Sequence, residues 1–266
     1  MPPVITSRQN ARVRALRAAL AGRGESDVVA VESPHLVREA WNAAGVEVLA
    51  VFVREDRAAL LDEMPGAVKA LVLSREVFDS VAATEQSQGV AALFARPEVR
   101  FLPRTGQLLL LLDGVQDPGN VGTLLRSAEA FGAAAVLVSE GTADVWNGKA
   151  LRASAGAAFR MPVVRWSEAL LATLRRLGMR VLAAVPDESG AVPVTEMPLT
   201  GGCVLAVGNE GRGVSANVLA AADGRVTLPM LGRTESLNAA VAGSVLLYEA
   251  ARQRAAGASR ASDEAR

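Results

Sequence analysis

The sequence predicts an α/β protein of two domains, each built from short buried strands that alternate with helices. Its 266 residues exceed the usual size of one domain and suit two of ordinary size. Apolar runs of strand length alternate with segments of helical periodicity along nearly the whole chain. Half of the residues are hydrophobic and 21% are charged, which is typical of a folded protein and excludes a disordered one.

The smaller predicted domain covers residues 1–96. Its strand patterns lie at 28–31, 46–53, 70–73 and 89–94. Helices are predicted around them at 7–20, 34–41, 57–63 and 75–81, the first capped by Thr6 or Ser7. Residues 97–107 contain Pro97 and Pro103 among scattered charges, which predicts a linker.

The larger predicted domain covers residues 108–266 and has the stronger strand patterns. The run Leu108–Leu112 is typical of a parallel strand that is buried on both faces. Further strands are predicted at 135–138, 161–164, 179–184, 203–207 and 225–228. Helices are predicted at 121–131, 145–155, 168–177 and 237–254. Ligands bind at the carboxyl ends of strands in parallel α/β sheets, so the loops after these strands form the candidate site.

The composition excludes several classes of function. Cys203 is the single cysteine and His35 the single histidine, so an intrachain disulfide and a site with several Cys or His ligands are excluded. No apolar run approaches the roughly 20 residues that span a bilayer, and the N-terminus lacks the apolar core of a secretory signal. We therefore expect a cytoplasmic protein that uses neither a membrane nor a metal.

The distribution of charge indicates an anionic partner, although the formal net charge is zero. The first 24 residues contain no acid and five arginines, at positions Arg8, Arg12, Arg14, Arg17 and Arg23. Clustered arginines favour phosphate binding, whereas a solvated helix face would explain them without any ligand. Arg8, Arg12 and Arg14 are the candidate nucleic-acid contacts.

The first candidate loop follows the leucine strand and spans residues 113–122. It contains Asn120 and leads into a helix that carries Arg126. A helix N-terminus favours anions, and the donor fork of arginine suits phosphate. A sharp turn made by Pro118 and Gly119 would equally explain the loop without a ligand.

The second candidate loop, residues 208–213, is rich in glycine and contains Asn209 and Glu210. Glycines such as Gly208 and Gly213 allow the backbone to approach a ligand closely. The loop has neither the dinucleotide fingerprint nor the lysine ending of a P-loop. Alone it is therefore weak evidence of a site, and Glu210 could be a solvated loop acid.

The third candidate loop, residues 228–238, precedes the last helix. Its polar candidates are Ser236, a predicted N-cap of that helix, and Asn238, which could meet free backbone amides or a ligand. Leu228, Met230 and Leu237 supply apolar side chains to the same loop.

In this order, the three loops resemble the three signature motifs of the SpoU/TrmH family of RNA 2′-O-ribose methyltransferases, a branch of the SPOUT superfamily. Asn120-x-Gly122-x-x-x-Arg126 is similar to motif one, 208–213 to motif two, and 228–238 to motif three. Segments 5–10, 31–37 and 88–90 resemble the family's substrate-binding domain, which is similar to ribosomal protein L30e. Two positions depart from the family pattern: Ser33 stands where glycine is frequent, and Ala240 where serine is frequent.

The resemblance implies a SPOUT domain with a deep trefoil knot, an obligate homodimer, an L30e-like RNA-binding domain, and S-adenosylmethionine (SAM) as the methyl donor. The implied SAM contacts are Leu205, Gly208, Asn209, Glu210, Gly213, Leu228, Met230, Ser236 and Leu237. The implied catalytic residues are Arg126, Asn120, Glu210, Ser236 and Asn238. Because a guanidinium is a cation that has only donor groups, we expect Arg126 to bind phosphate and stabilise alkoxide charge rather than abstract the proton.

Three substrates or roles remain open at this point. The L30e-like domain favours ribosomal RNA, and 23S rRNA in particular. Transfer RNA is the first alternative, and a catalytically silent RNA-binding protein is the second. The joint presence of Asn120, Arg126, Glu210 and Asn238 favours an enzyme over the silent protein.

Overall fold

The computed structural model describes residues 3–63, 69–84, 86–97, 101–187, 190–234 and 236–264, with side chains to Gly257 except that of Glu63. The chain forms two compact units. The first is Met1–Glu98 with Trp146–Arg160, and the second is Val99–Val145 with Met161–Arg266. Part of the predicted linker, 98–100, lies outside the described residues.

The first unit contains a five-stranded mixed sheet. Its strands are β1 Val4–Ile5, β2 Val28–Glu32, β3 Val48–Arg54, β4 Ala70–Leu73 and β5 Val90–Ala95. They lie in the order β1-β4-β3-β5-β2, with β5 antiparallel to both of its neighbours. The helices are α1 Ala11–Leu20, α2 Pro34–Asn42 and α3 Arg75–Asp79, with a 3₁₀ segment at Glu55–Glu63. Val13 and Leu16 of α1 pack against Phe52 and Phe78 in the core.

Helix α1 begins later than the sequence predicted. Its N-cap is Asn10, whose side chain accepts a hydrogen bond from Arg12 N at 3.0 Å, and not Thr6 or Ser7. Ser7 instead accepts from Gln9 N at 3.2 Å, within the turn that precedes the helix. Serine and asparagine both satisfy free amides, so the residue types alone did not decide which of them caps the helix.

The second unit contains a seven-stranded sheet. Its strands are β6 Leu108–Asp113, β7 Ala135–Val138, β8 Val163–Arg165, β9 Arg180–Ala184, β10 Val192–Pro193, β11 Cys203–Gly208 and β12 Gly224–Thr227. The order is β10-β12-β9-β11-β6-β7-β8, and every neighbouring pair is parallel. The helices of this unit are α4 Pro118–Ala130, α6 Glu168–Arg176, α7 Ala216–Ala221 and α8 Ala239–Glu264.

Both faces of this parallel sheet are covered, as the leucine run predicted. Leu109 and Leu111 pack into a core cluster with residues of α6 and α7. Helix α8 packs closely against α4 and β11. A Cβ at Gly243 of α8 would stand only 2.4 Å from Leu124 Cδ2 and 3.2 Å from Val207 Cγ2. Burial on both faces accounts for a continuous apolar strand without alternating polar residues.

The segment between β7 and β8 departs from the predicted domain division, because residues 146–160 pack with the first unit. This segment contains α5, Gly148–Ser154, followed by the left-handed residues Ala155 and Gly156. A Cβ at Gly156 would lie 2.7 Å from the side chain of Glu39, and Arg160 forms an ion pair with that same glutamate. The Phe159 ring lies 6.0 Å from that of Phe94, between centroids.

Four short elements of the described chain were not predicted: β1, β10, α7 and the 3₁₀ turn Ala157–Phe159. The last helix also continues to Glu264, beyond the predicted end near residue 254. Within the described ranges, no helix combines the length and the apolar character that a membrane crossing requires.

Candidate active site

The three candidate loops lie at one edge of the seven-stranded sheet. Strands β6 and β11 are neighbours, and only β9 separates β11 from β12. All four are parallel, so their carboxyl ends share an edge. The motif one loop (114–117), the motif two loop (209–215) and the motif three loop (228–238) begin there, where ligands bind in such sheets.

A chain of side-chain hydrogen bonds joins the first turn of α4, which carries the start of motif one, to the motif two and motif three loops. Asn120 Nδ2 donates to Glu210 Oε1 at 2.9 Å, and Asn238 Nδ2 donates to Asn120 Oδ1 at 3.1 Å. These residues are 90 and 118 positions apart in sequence. The structure thus brings together three of the residues that the resemblance assigned to catalysis.

Glu210 receives further donors from the motif one loop. The amides of Gln116 and Asp117 donate to its two carboxylate oxygens at 3.3 and 3.4 Å. Partial burial acts to raise the pKa of Glu210, but hydrogen bonds from Asn120 and from nearby backbone amides outweigh it, so the pKa is lowered from its ordinary 4.5. Glu210 is therefore a carboxylate at neutral pH and serves as an acceptor.

The motif two loop contains a tight hairpin, 209–213, which we call the motif two hairpin. Asn209 and Gly213 exchange two backbone hydrogen bonds of 2.9 Å, and Asn209 Oδ1 accepts from the amides of Gly211 and Arg212. A Cβ at Gly208 would stand 2.1 Å from the Gly213 carbonyl carbon, so the hairpin requires glycine at position 208. The predicted SAM contacts Gly208, Asn209 and Gly213 thus also determine the shape of the loop.

The remaining predicted SAM contacts differ in their accessibility. Leu205 is fully buried within β11, Leu228 and Met230 are half-buried, and Ser236 and Leu237 are exposed. Ser236 was predicted to cap the last helix, but the cap is Asn238, whose Oδ1 accepts from Ala240 N at 2.9 Å. In the described part of the chain, no group of three or more His, Cys, Asp or Glu side chains is placed to hold a metal ion.

Arg126 lies on the exposed side of α4. Among the described residues, its guanidinium has no hydrogen-bond or ion-pair partner, so the structure does not join Arg126 to Glu210 or Asn238. One turn earlier, Thr123 borders an apolar groove of about 350 Å³ between α4 and α8, lined also by Phe131, Val241, Val245 and Tyr248. We call this surface the α4–α8 groove.

Asp113 is a buried polar residue at the site to which the sequence analysis gave no role. It ends β6, is 5% exposed, and accepts hydrogen bonds from Ser139 and Ser215. The signal that could have found it is an acidic residue directly after five leucines, since a carboxylate at the end of a buried strand requires donors.

The three candidate RNA contacts lie at the start of α1 and in the turn before it. Arg12 and Arg14 are exposed, whereas Arg8 forms an ion pair of 2.7 Å with Glu76 of α3. Arg17, further along the helix, donates to Ser80 Oγ. Arg12 and Arg14 are thus the accessible members of the patch, and Arg8 is partly neutralised.

Comparison with known proteins decides the family. Residues 107–248 match the SpoU rRNA Methylase family, over more than half of the chain. The chain belongs to the SpoU family. A 23S rRNA (guanosine(2553)-2'-O)-methyltransferase, RlmP, from Bacillus subtilis (strain 168) is 37% identical to this SpoU protein over 227 residues, which are 85% of this chain and 89% of the relative.

Solved structures agree with this assignment. The AdoMet-bound rRNA methyltransferase from Sinorhizobium meliloti superposes with a TM-score of 0.82 at 26% identity, covering 94% of this chain and 97% of that one. The SpoU methyltransferase AviRb from Streptomyces viridochromogenes, in complex with AdoMet, gives 0.82 at 28% identity and covers 93% and 99%. The predicted family and the predicted α/β fold with a mostly parallel sheet are confirmed.

Proposed function

We propose that this SpoU protein transfers the methyl group of SAM to a ribose 2′-hydroxyl of ribosomal RNA, with 23S rRNA as substrate. The observation that carries the proposal is the hydrogen-bond chain Asn238–Asn120–Glu210, which joins residues of all three motifs. Family membership and the name of the Bacillus subtilis relative support this reaction and this RNA. A ribosomal RNA substrate in turn supports a cytoplasmic location, and the family supports a deep trefoil knot in the second unit.

The side chains at the carboxyl ends of β11 and β12 suit the adenosyl part of SAM. Leu228 and Met230 are half-buried and Leu237 is 40% exposed, so apolar surface remains accessible at the edge of the sheet where the glycine hairpin also lies. Ligand sites of this kind combine apolar walls with a few polar groups that fix orientation. When bound, SAM would supply a methyl group carried on its sulfonium sulfur, and this sulfur becomes a neutral thioether once the methyl group has been transferred.

The polar residues of the site orient the reactants. Glu210 is held by the Gln116 and Asp117 amides and in turn holds the Asn120 side chain amide, whose oxygen accepts from Asn238. Each group in this chain is fixed before the substrate arrives, which reduces the reorganisation needed during methyl transfer. Ser236 is exposed beside Asn238 and is available to SAM or to the ribose.

Arg126 is the proposed electrostatic group. Its guanidinium is exposed on α4, and the described residues offer it no anionic partner, which fits a cation that waits for an RNA phosphate. Bound there, it would stabilise the negative charge that develops on the 2′-oxygen, while the phosphate or solvent takes the proton.

A second copy of the chain is the proposed occupant of the α4–α8 groove. Val241, Val245 and Tyr248 are 49%, 41% and 54% exposed along one side of α8, an apolar stripe that water disfavours. Arg126 lies one turn from Thr123 at the edge of the α4–α8 groove, so a homodimer formed through the groove would have Arg126 near its interface. Sedimentation of the protein should give a dimer, and Val245→Glu should give a monomer; a monomeric wild-type protein contradicts the homodimer.

The first unit is the proposed RNA-selecting part. The exposed Arg12 and Arg14 can hold phosphates without reading sequence. Specificity would then come from RNA shape and from unpaired bases.

The test is transfer of radiolabelled methyl from SAM to 23S rRNA, 16S rRNA and tRNA, each presented separately. We expect label in 23S rRNA at a 2′-O-methylated nucleotide, and a loss of about 10²–10³-fold in Arg126→Ala. Arg176→Ala is the matched control, because Arg176 is an exposed arginine on α6 that donates to Thr173. Label in tRNA alone would replace the substrate, and SAM binding without label in any RNA or ribosomal precursor particle would favour the silent RNA-binding protein. If Arg126→Lys keeps nearly full activity, the specific role of the guanidinium is wrong.

A further inference from the structure

Asp113 is a buried carboxylate whose two oxygens both accept hydrogen bonds. It is the last residue of β6, paired in register with Gly208 of β11, and is 5% exposed. Its Oδ1 accepts from Ser139 Oγ at 2.7 Å, and its Oδ2 accepts from Ser215 N at 2.6 Å. A buried carboxylate is retained only where donors of this kind replace water.

Two hydrogen bonds, one to Asp113 and one to its neighbour Gly114, fix the two ends of the motif two hairpin. Ser215 lies just after the hairpin and is held by Asp113 itself. Asn209 lies at the start of the hairpin, and its Nδ2 donates to the carbonyl of Gly114, the neighbour of Asp113, at 2.9 Å. The hairpin that presents Glu210 is therefore anchored on residues 113–114.

Residues 113–114 are anchored in turn on the loop after β7. The Gly114 amide donates to Ser139 Oγ at 3.0 Å and to Thr142 Oγ1 at 3.1 Å. Thr142 Oγ1 donates to the Leu112 carbonyl at 2.9 Å. Ser139 thus contacts both the carboxylate of Asp113 and the amide that follows it, and the network extends beyond the three family-like motifs.

We propose that Asp113 is a positioning residue for methyl transfer, which acts by holding the motif two hairpin so that Glu210 reaches the motif one loop. The inference rests on the proposed function. Glu210 meets the amides of Gln116 and Asp117 at 3.3 and 3.4 Å, so a shift of the hairpin by about 1 Å would break both bonds. Displacements of that size at a catalytic constellation cost about 10²-fold in rate.

The experiment compares Asp113→Ala with Asp113→Asn and with a matched control. Asparagine can still accept from Ser215 N, and its amide can donate to Ser139 Oγ, which then turns its own hydrogen to the Glu140 carbonyl at 3.3 Å. The control is Asp223→Ala, because Asp223 accepts a backbone hydrogen bond from Val181 at 2.8 Å at the opposite end of the strands. We measure kcat, KM for SAM and RNA, the melting temperature, and amide hydrogen exchange over 208–216.

At assay temperatures below the melting temperature of the variant, we expect Asp113→Ala to have a kcat about 10²-fold lower than that of wild type. Amide hydrogen exchange over 208–216 should be faster in this variant. Asp113→Asn should stay within about five-fold of wild type, and Asp223→Ala should lower the melting temperature with unchanged kcat. The kcat of the double variant Asp113→Ala/Glu210→Gln should lie within about three-fold of the kcat of the slower single variant. The losses do not multiply because both changes disrupt the same contact, that of Glu210 with the motif one loop.

Three results would overturn the inference: an unchanged kcat in Asp113→Ala, an equal loss in Asp223→Ala, or fully multiplicative losses in the double variant. An inactive wild-type protein would instead reject the proposed function. In that case hydrogen exchange still decides the role of Asp113: faster exchange over 208–216 in Asp113→Ala alone supports it, and unchanged exchange contradicts it.

Discussion

The candidate active site and the exposed arginine surface of the first unit hold their polar side chains in different ways. At the carboxyl edge of the seven-stranded sheet, hydrogen bonds of 2.6 to 3.1 Å fix polar side chains across separate segments, as between the Ser215 amide and the Asp113 carboxylate or between the Asn238 and Asn120 side chains. In the first unit, Arg8 and Glu76 form an ion pair whose side chains are 53% and 81% exposed. The first arrangement fixes positions, whereas the second leaves charges free to exchange partners.

The energetic reason for this difference is solvent. An exposed ion pair contributes about 0–1 kcal/mol, because water competes for both charges and the side chains lose entropy on pairing. A buried or partly buried acceptor that loses its donor costs about 1–3 kcal/mol, since nothing replaces the bond. Substitutions at the sheet edge should therefore alter the rate of reaction, and those on the first unit should alter RNA affinity.

Among the substitutions that test this comparison, Glu210→Gln has the largest expected effect. The carboxylate accepts from Asn120 and from the Gln116 and Asp117 amides, and a glutamine would turn an NH₂ group towards some of these donors. We expect kcat for methyl transfer to fall about 10²-fold, with RNA affinity unchanged. Initial rates at saturating SAM and RNA measure the first, and filter binding of RNA measures the second.

The effect of Glu210→Gln should not depend on pH between about 6 and 9. The pKa of Glu210 is lowered from 4.5 in the folded protein, so its stabilising contribution is fully present above 4.5 and is lost only as the pH falls through the folded value. Both limits lie below the range of the assay. An acidic limb between pH 6 and 8 in wild type that disappears in the variant would identify Glu210 as a general base and contradict the acceptor role.

Some of this contrast was predictable from the sequence. Leu108–Leu112 predicted a strand buried on both faces, and the positions of Asn120, Glu210 and Asn238 after strands predicted that they would meet at one edge. The partners of Asp113 were not predictable, because Ser139 and Ser215 lie 26 and 102 positions away and no local pattern marks them. The packing of residues 146–160 with the first unit was also missed, since helical periodicity does not specify which core a segment joins.

A smaller effect is expected from neutralising the exposed arginines of α1. Arg12→Gln/Arg14→Gln should weaken RNA binding about 30-fold near 0.1 M salt, because two phosphate contacts and the counterions that they release are lost. The slope of log affinity against log salt should flatten by about 1.4–1.8, whereas SAM affinity should not change.

Arg8→Gln is the matched comparison for that pair. Its charge is already offset by Glu76 at 2.7 Å, so we expect RNA affinity to fall about two-fold or less. The variant with glutamine at positions 8, 12 and 14 should therefore bind RNA about as well as the double variant. Titrations of labelled RNA at several salt concentrations measure all three. An unchanged affinity in the double variant would remove the patch from RNA binding.

The smallest expected effect concerns the stability of the first unit, at Ser33. This residue has φ 131° and ψ 147°, a conformation that essentially only glycine adopts without strain, and such strain costs about 1–3 kcal/mol. Its hydroxyl accepts from Leu36 N at 3.3 Å as the N-cap of α2, and glycine is a cap only a few tenths of a kcal/mol worse than serine.

Ser33→Gly should therefore stabilise the protein by about 1 kcal/mol. The free energy gained by relieving the backbone strain exceeds the two costs, which are the loss of the hydroxyl cap and the greater conformational freedom of glycine in the unfolded chain. Ser33→Ala keeps the strain and loses the cap, so it should destabilise by about 1 kcal/mol. Urea unfolding followed by hydrogen exchange of β2 and α2 measures the first unit separately from the second. If Ser33→Gly is less stable than wild type, the hydroxyl cap contributes more free energy than the backbone strain costs. A side-chain hydrogen bond would then fix a position in the first unit, as the bonds at the sheet edge do in the second.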